Sequence, residues 1–534
     1  MKPYLNNVTG KASSDIITLQ GGLNTCYDKS SIRDNQLPFM WNVAPLRSPT
    51  LSTRTSRMSL AWAINDTNTY ATGKPLALFV SSSKTLYEIE ESELIAKVYK
   101  YVPNNGYYVK TYVGDVELAN NYYICECRDA NNIYIIISTD TTRYKYTEGG
   151  ALTPYTDYYG IVAGHKNRLW IASDTSVKFS HLRQYDNFTI DSTDPINTAG
   201  EINITNAKGR IVALVPYDGK LIVFCERSWH VIYGSSPNAD VDQFYLVDMN
   251  DGLGCISHNT YTICDRCLYW IDTDFSVYKY NGASVLKVSE PYGVNANYVQ
   301  YGGIKNLTIN KTKLNNVRMG SYDTNVYIIL TRSLQVGALN DTALVYDTAK
   351  RVWWAEDGAF NCITRWDTDT TTTLSNRTDY LVAGMYNGDL LILNFSETGY
   401  DTLFNKTTRD FDQVDIQYAF ETKTWLLGNV KHKKTLTDVW WQANAHAKVG
   451  VCDNWTDINP WNTSINSHYI ILGELNKASA HDVESPTKNY HEGTERQRFI
   501  VPKMYLQKVN AFSIRVEGEG DAQFYLLEKE WRIR

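Results

Sequence analysis

Apolar and polar positions along the middle of the chain alternate in short runs, and each run ends at a tight turn. Lys220-Leu-Ile-Val-Phe-Cys225 follows the turn Tyr217-Asp-Gly219, and Ser228-Trp-His-Val-Ile-Tyr233 follows Glu226-Arg227. The design returns at Cys267-Leu-Tyr-Trp-Ile271 with Ser276-Val-Tyr-Lys-Tyr280, and at Asn325-Val-Tyr-Ile-Ile-Leu330 with Ala343-Leu-Val-Tyr346. It returns once more at Tyr380-Leu-Val-Ala383, Asn387-Gly388 and Asp389-Leu-Leu-Ile-Leu393. Each copy is a β-rich run, an Asp/Asn/Gly turn that tolerates positive φ, and a second run. One such unit cannot bury its apolar face alone, so stacked copies around an axis are expected: an all-β chain built on a β-propeller.

The same pattern divides the chain. Residues 1–57 lack regular periodicity and read as an N-terminal extended arm. Residues 58–405 carry the hairpins; at roughly 45 to 50 residues per four-stranded blade they make about seven blades. Within them Leu344-Val-Tyr-Asp-Thr-Ala-Lys-Arg-Val-Trp-Trp354 is a strand, a turn and a strand with paired tryptophans. This Tyr-Asp-turn-Trp step resembles that of kelch-type blades, in which the Trp packs between neighbouring blades, though the Gly-Gly that precedes it there is missing. Residues 406–534 change character and predict a C-terminal β-sandwich-like domain, interrupted by a long polar segment between Asn459 and Thr494. A loop of that length is expected to be exposed and to bind something. Glu88 to Tyr99 is the one stretch where a helix competes with a strand.

Composition narrows the class. The 534 residues include 39 Tyr, 14 Trp and 15 Phe, which suit pleated, half-buried surfaces. A net charge of −6 disfavours a protein that grips nucleic acid through a basic face. No run of about 18 apolar residues predicts a membrane span, and the first nine residues lack the apolar core of a signal peptide. Nine scattered Cys residues do not read as a disulfide framework, which points to synthesis in a reducing cytoplasm.

Candidate chemistry is sparse. Cys264-Asp-Arg-Cys267 has zinc-ligand spacing, yet its nearest complement, Cys125-Glu-Cys127, puts both sulfurs on one strand face. A redox Cys-X-X-Cys would open a helix, whereas this one lies in a hairpin. Asp248-Met-Asn-Asp-Gly252 resembles the start of a calcium loop but lacks the alternating ligands and the downstream Glu. Asp272-Thr-Asp274 and Asp453-Asn-Trp-Thr-Asp457 read as turns. His165, His181, His230 and His258 are scattered, with no HExxH, nucleophile elbow, P-loop or dinucleotide fingerprint. The reading assigns no catalytic, cofactor-binding or metal-ligating residue, and expects no enzyme and no cofactor.

A resemblance gives the expectation its content. Gly21-Gly22-Leu23-Asn24-Thr25, Asp34-Asn35-Gln36, Asn42 and Arg54 are similar to the opening of the tail nozzle proteins of short-tailed bacteriophages, also called packaged-DNA stabilisation or tail-hub proteins. Gly164-His-Lys-Asn-Arg-Leu-Trp-Ile-Ala172, Val177-Lys-Phe-Ser180 and Gln184-Tyr-Asp-Asn-Phe188 resemble one of that family's blades. Arg210-Ile-Val-Ala-Leu214 through Gly234, with Gly252-Leu-Gly-Cys-Ile-Ser257, resembles the next. The resemblance covers roughly residues 20 to 285, and the part after 406 shares only general character. It implies a virion structural protein of the viral tail: a homohexamer below the portal and adaptor, contacting other tail proteins. Such a subunit forms part of the DNA exit channel, helps retain the genome and then eject it, and has no catalytic residues to carry over. Double-stranded DNA would pass without sequence readout, the longest basic cluster being Lys431-His-Lys-Lys434. Two alternatives stay open: a glycan hydrolase or lyase of a phage tail with acids on propeller loops, and a receptor-binding propeller using the 459–494 loop with Trp455 and Trp461.

Overall fold

The computed structural model describes residues 13–46, 50–64, 73–104, 107–290, 303–368, 379–426, 434–452, 465, 469–475, 496–501, 507–509 and 511–533. Six four-stranded antiparallel sheets follow one another along the chain, at 75–117, 123–155, 162–203, 211–251, 261–287 and 318–357. In each, spatial order equals chain order, so every sheet is a meander whose first strand can face an axis. The first strands do meet. Tyr123–Arg128 packs on Val162–His165, Tyr261–Cys264 on Arg318–Tyr322, and Arg318–Tyr322 on Phe360–Asp367. Phe360–Asp367 then packs on Pro75–Val80, which closes the ring. Among the described residues this is a seven-bladed β-propeller.

The seventh blade is assembled from both ends of the chain. Phe360–Asp367, Asp379–Met385 and Leu390–Ser396 supply three strands, and Ser56–Ser59 supplies the fourth, with Ile392 opposite Met58 and Leu391 opposite Ser59. A last hairpin, Tyr400–Asn405 with Asp410–Asp415, extends this sheet to six strands, so the sheet runs past residue 405. Across the seam with blade one, Asn361 Nδ2 donates to the Pro75 carbonyl at 2.7 Å and Trp366 Nε1 to that of Lys84 at 2.9 Å.

Local chemistry explains the blades. The hairpin between first and second strands repeatedly has two consecutive residues at positive φ: Lys166 and Asn167 (51°, 55°), Asp218 and Gly219 (48°, 73°), Asp265 and Arg266 (47°, 57°). That geometry matches the right-handed twist of the flanking strands. Blade seams are filled by aromatics. Trp170 meets Phe244 edge-on at 5.0 Å, and Trp270 lies 5.3 Å from Phe224 and 5.8 Å from Trp229. The 344–354 stretch is the hairpin of Thr342–Asp347 and Val352–Asp357. Its Trp353 is fully buried and bridges to the preceding blade through Nε1 on the Val288 carbonyl at 3.1 Å.

Glu88 to Tyr99 is not a helix. Leu86–Ser92 and Ile95–Asn104 form a hairpin that turns at Glu93 (φ 47°). Glu88 and Glu90 are buried, and both clasp Lys110 two strands away on Tyr107–Glu117, while Glu88 accepts the Tyr101 hydroxyl at 2.7 Å. The stretch competes as a helix because Glu, Leu, Ala and Lys favour helices, and the buried pairing with Lys110 is what lets its carboxylates sit in a sheet.

The other half is a β-sandwich. One sheet runs Val43–Ala44, Leu51–Thr53, Gln523–Ile533, Lys434–Asn444, Arg496–Ile500, with Ser13–Ile17 and Gln507–Val509 joined at its side. The other runs Phe39–Trp41, Gln417–Glu421, Ala511–Glu519, Ala447–Cys452, Ile470–Leu475, with Trp425–Leu426 alongside. Phe420 of the second sheet meets Trp441 and Phe524 of the first edge-on, at 6.0 and 4.9 Å. Four strands of the N-terminal segment thus lie in the sandwich and a fifth in the propeller. Of the 459–494 segment, Ile470–Leu475 is a strand; Trp455 and Trp461 lie outside the described residues.

Candidate functional site

The residues that carry the N-terminal pattern converge where propeller and sandwich meet. Leu23 N–H donates to the Trp353 carbonyl at 2.7 Å, and Gly22, at φ +70°, lies so close that a Cβ there would sit 2.8 Å from the same oxygen. Asn24 Nδ2 donates to Gln36 Oε1 at 2.8 Å in a buried pair. Asn42, itself at φ 55°, receives the Asp357 N–H on Oδ1 at 2.9 Å and donates Nδ2 to the Gln417 carbonyl at 2.8 Å. One side chain therefore links blade six to the sandwich.

Arg54 completes the clasp. Its Nη1 and Nη2 fork onto Asp401 at 2.9 and 2.7 Å, and Nε reaches Asp357 at 3.0 Å. Arg57 binds Glu356 at 3.1 Å and Asp357 at 2.9 Å. Burial works against the Asp357 charge, but Arg57 and Arg54 outweigh it and hold the carboxyl below its ordinary range. Two guanidiniums and three carboxylates from 54–57, 356–357 and 401 are thereby locked together.

A second feature lies on the propeller axis. A cavity of about 220 Å³ is lined by residues of all seven innermost strands or their approaches, among them Leu78, Ile124, Val162, Leu214, Arg318 and Ile363. His258 borders it, its ring 4.3 Å from that of Tyr123 and its Nε2 at 3.2 Å from the Tyr122 carbonyl. Burial, and then the Arg318 charge, push the His258 pKa down to about 3, so the imidazole is neutral. The lining has tyrosines, asparagines, a thiol and a guanidinium, and no carboxylate.

The residues singled out in the sequence fall elsewhere. Cys264 and Cys267 face each other across the Asp265-Arg266 turn, and Cys264 Sγ lies 3.3 Å from the Asp323 carbonyl. Burial pushes its thiol up to about 12. Cys125 and Cys127 are buried in the seam between the second and third blades, far along the ring from that pair. No group of three or more His, Cys, Asp or Glu is placed to hold a metal among the described residues. Asp272 and Asp274 accept backbone N–H groups within their turn. Asp453 and Asp457 lie outside the described residues. Asp248 belongs to the strand Tyr245–Asp251, not to a loop.

One constellation was not legible beforehand. His230 Nδ1 lies 2.7 Å from Asp248 Oδ1, and its Nε2 lies 3.0 Å from Ser228 Oγ. The order of contacts is that of a nucleophile, base and orienting acid. Ser228 and His230 are sealed, however, at 0% and 1% exposure, and Ser228 Oγ already accepts the Lys208 N–H at 2.9 Å. With no room beside the hydroxyl for an acyl group, the trio stitches the outer strands of blade four to the connector before them.

No family model matches the chain, and no curated protein matches it. Solved structures similar to it include selenomethionine-substituted virginiamycin B lyase from Staphylococcus aureus, 9% identical with a TM-score of 0.37 over 64% of this chain and 98% of that one. Chaetomium thermophilum Raptor is 7% identical, TM-score 0.38, over 65% of this chain and 30% of its own. KlHsv2 with loop 6CD replaced by a Gly-Ser linker is 9% identical, TM-score 0.29, over 54% and 98%. At these identities and scores no activity of theirs is carried to this chain.

Proposed function

We propose that this chain is a structural subunit of a bacteriophage tail, a nozzle or hub subunit that forms part of the DNA exit channel below the portal and adaptor. The observation that carries the reading is where the resembling residues sit. Asn42 ties blade six to the sandwich, Gly22 and Leu23 seat the N-terminal segment on Trp353, Arg54 clasps two propeller carboxylates, and Asn24 with Gln36 pins the N-terminal segment to itself. Their role in the fold is mechanical, as a channel wall requires.

On this reading DNA would run outside the propeller. A duplex whose major groove alone is about 12 Å wide cannot pass through an axial cavity of about 220 Å³. The lumen would be enclosed between copies, six in the proposed ring, with each propeller set in the wall. Leu334, Val336 and Leu339 stand exposed on the single loop joining Asn325–Leu330 to Thr342–Asp347 and suit contacts between subunits or with tail neighbours. A chain with 52 Lys and Arg against 58 Asp and Glu would touch DNA weakly and without base readout.

A glycan hydrolase would gather two carboxylates at a defined separation around one cavity; the axial cavity gathers none. The test is genetic. Particles assembled without this chain should package DNA and then leak it, and wild-type chain added back should restore retention. Particles lacking the chain that keep their genome and lose only host attachment would overturn the reading in favour of a receptor-binding propeller.

A further inference from the structure

We propose that the axial cavity is a binding site for a small organic oxyanion, a carboxylate or phosphate carrying a compact apolar body, held by Arg318. Seven innermost strands surround about 220 Å³ of space whose wall combines aliphatic and aromatic side chains with a larger share of polar surface. Arg318 is the first residue of Arg318–Tyr322, and its Nη1 is pinned by the Asn315 and Val317 carbonyls at 2.8 and 3.0 Å. Those bonds fix the guanidinium plane. Among the described residues no carboxylate lies within ion-pair distance of it, in contrast to the doubly paired Arg54 and Arg57.

A guanidinium taken partly out of water without a counterion is costly. Burial is the first cause lowering the Arg318 pKa, and only the weak influence of Cys362 and Tyr386 opposes it. An oxyanion from solution would supply what the chain does not, through the remaining N–H groups of the planar fork. The rest of the lining sets the ligand's shape and charge. His258 is held neutral with Nε2 directed at the Tyr122 carbonyl, so Nδ1 carries a lone pair and the site offers a single positive charge. A monoanion with an apolar body, one face against Ile124, Val162 and Leu214, matches that set.

The experiment uses the purified full chain at constant ionic strength, with melting followed against sodium benzoate, sodium phosphate and neutral benzamide. The expectation is a saturable rise of about 2 °C or more with benzoate or phosphate and none with benzamide. The two salts tell carboxylate from phosphate chemistry. R318Q should abolish the rise and R318K should keep part of it. No saturable rise with either salt, or the same rise with benzamide or in folded R318Q, would overturn the proposal. If R318Q does not fold, wild-type crystals soaked in 4-bromobenzoate decide the matter. A bromine anomalous peak in the axial cavity is expected, and peaks only on the outer surface would contradict it.

Discussion

Arg54 and Asp401 face each other fork to fork, with Nη1 on Oδ1 at 2.9 Å and Nη2 on Oδ2 at 2.7 Å, although 347 positions separate them in the chain. Arg54 precedes the strand that closes the seventh blade, and Asp401 belongs to the hairpin that extends the same sheet. Replacing Arg54 by Ala would leave the largely buried Asp401 without its cation and Asp357 with Arg57 alone. A loss of about 3–5 kcal/mol is expected in urea unfolding. Lysine should rescue little, because a point charge cannot serve both carboxylates. A loss below about 1 kcal/mol would show that the pair behaves like a surface bridge.

The chain's N-terminal segment should be indispensable. Ser56–Ser59 lies between Leu390–Ser396 and Tyr400–Asn405, so its removal opens the middle of a sheet and not its edge. Deleting residues 1–59 is expected to abolish cooperative unfolding monitored by near-ultraviolet circular dichroism. A deletion variant with an unchanged transition would mean the ring closes without it.

How much of this could be read from the chain is clear from these elements. The hairpins around Asp218-Gly219 and Asn387-Gly388 were legible because a turn needing positive φ between two apolar runs is a local signal. Trp353 was placed between blades by the likeness of its Tyr-Asp-turn-Trp step to kelch-type blades. Closure by Ser56-Arg57-Met58-Ser59 was not legible, since four residues with two small polar side chains carry no periodicity and their partners lie over 330 positions away. The axial site was hidden for a related reason: His258 sits on a connector, Arg318 opens a strand, and only the ring brings them to one cavity. The Ser228, His230 and Asp248 trio depended on a register shift between Trp229 and His230 that no pattern announces.

Acid should weaken the fold before its carboxylates titrate. Burial, followed by a neighbouring cation, depresses His258 to about 3 and His165 to about 4, from an ordinary 6.5. Below 6.5 the unfolded chain takes up protons on both rings and the folded chain does not. Stability is therefore full above about pH 7 and falls as pH drops toward 4, by at most about 1.4 kcal/mol per pH unit for each ring. Urea unfolding at pH 7 and pH 5 checks this, and H258Q should flatten the difference. Equal stability at both values would contradict it.

The cysteine pair should be dispensable. Cys264 and Cys267 flank a two-residue turn with no further ligand beside them among the described residues. The double change to Ser should cost less than about 1.5 kcal/mol, and a chelator should leave the melting temperature unchanged. A fall on chelation that zinc reverses would show a metal site there.

The central claim is that this chain forms the wall of a tail channel. A reconstruction of the intact particle tests it most directly. The account predicts six copies in a ring below the portal and adaptor, each closed by its own Ser56–Ser59 strand, with duplex density running between copies and never along a propeller axis. One or three copies, or copies set at the tips of tail fibres away from DNA density, would contradict it.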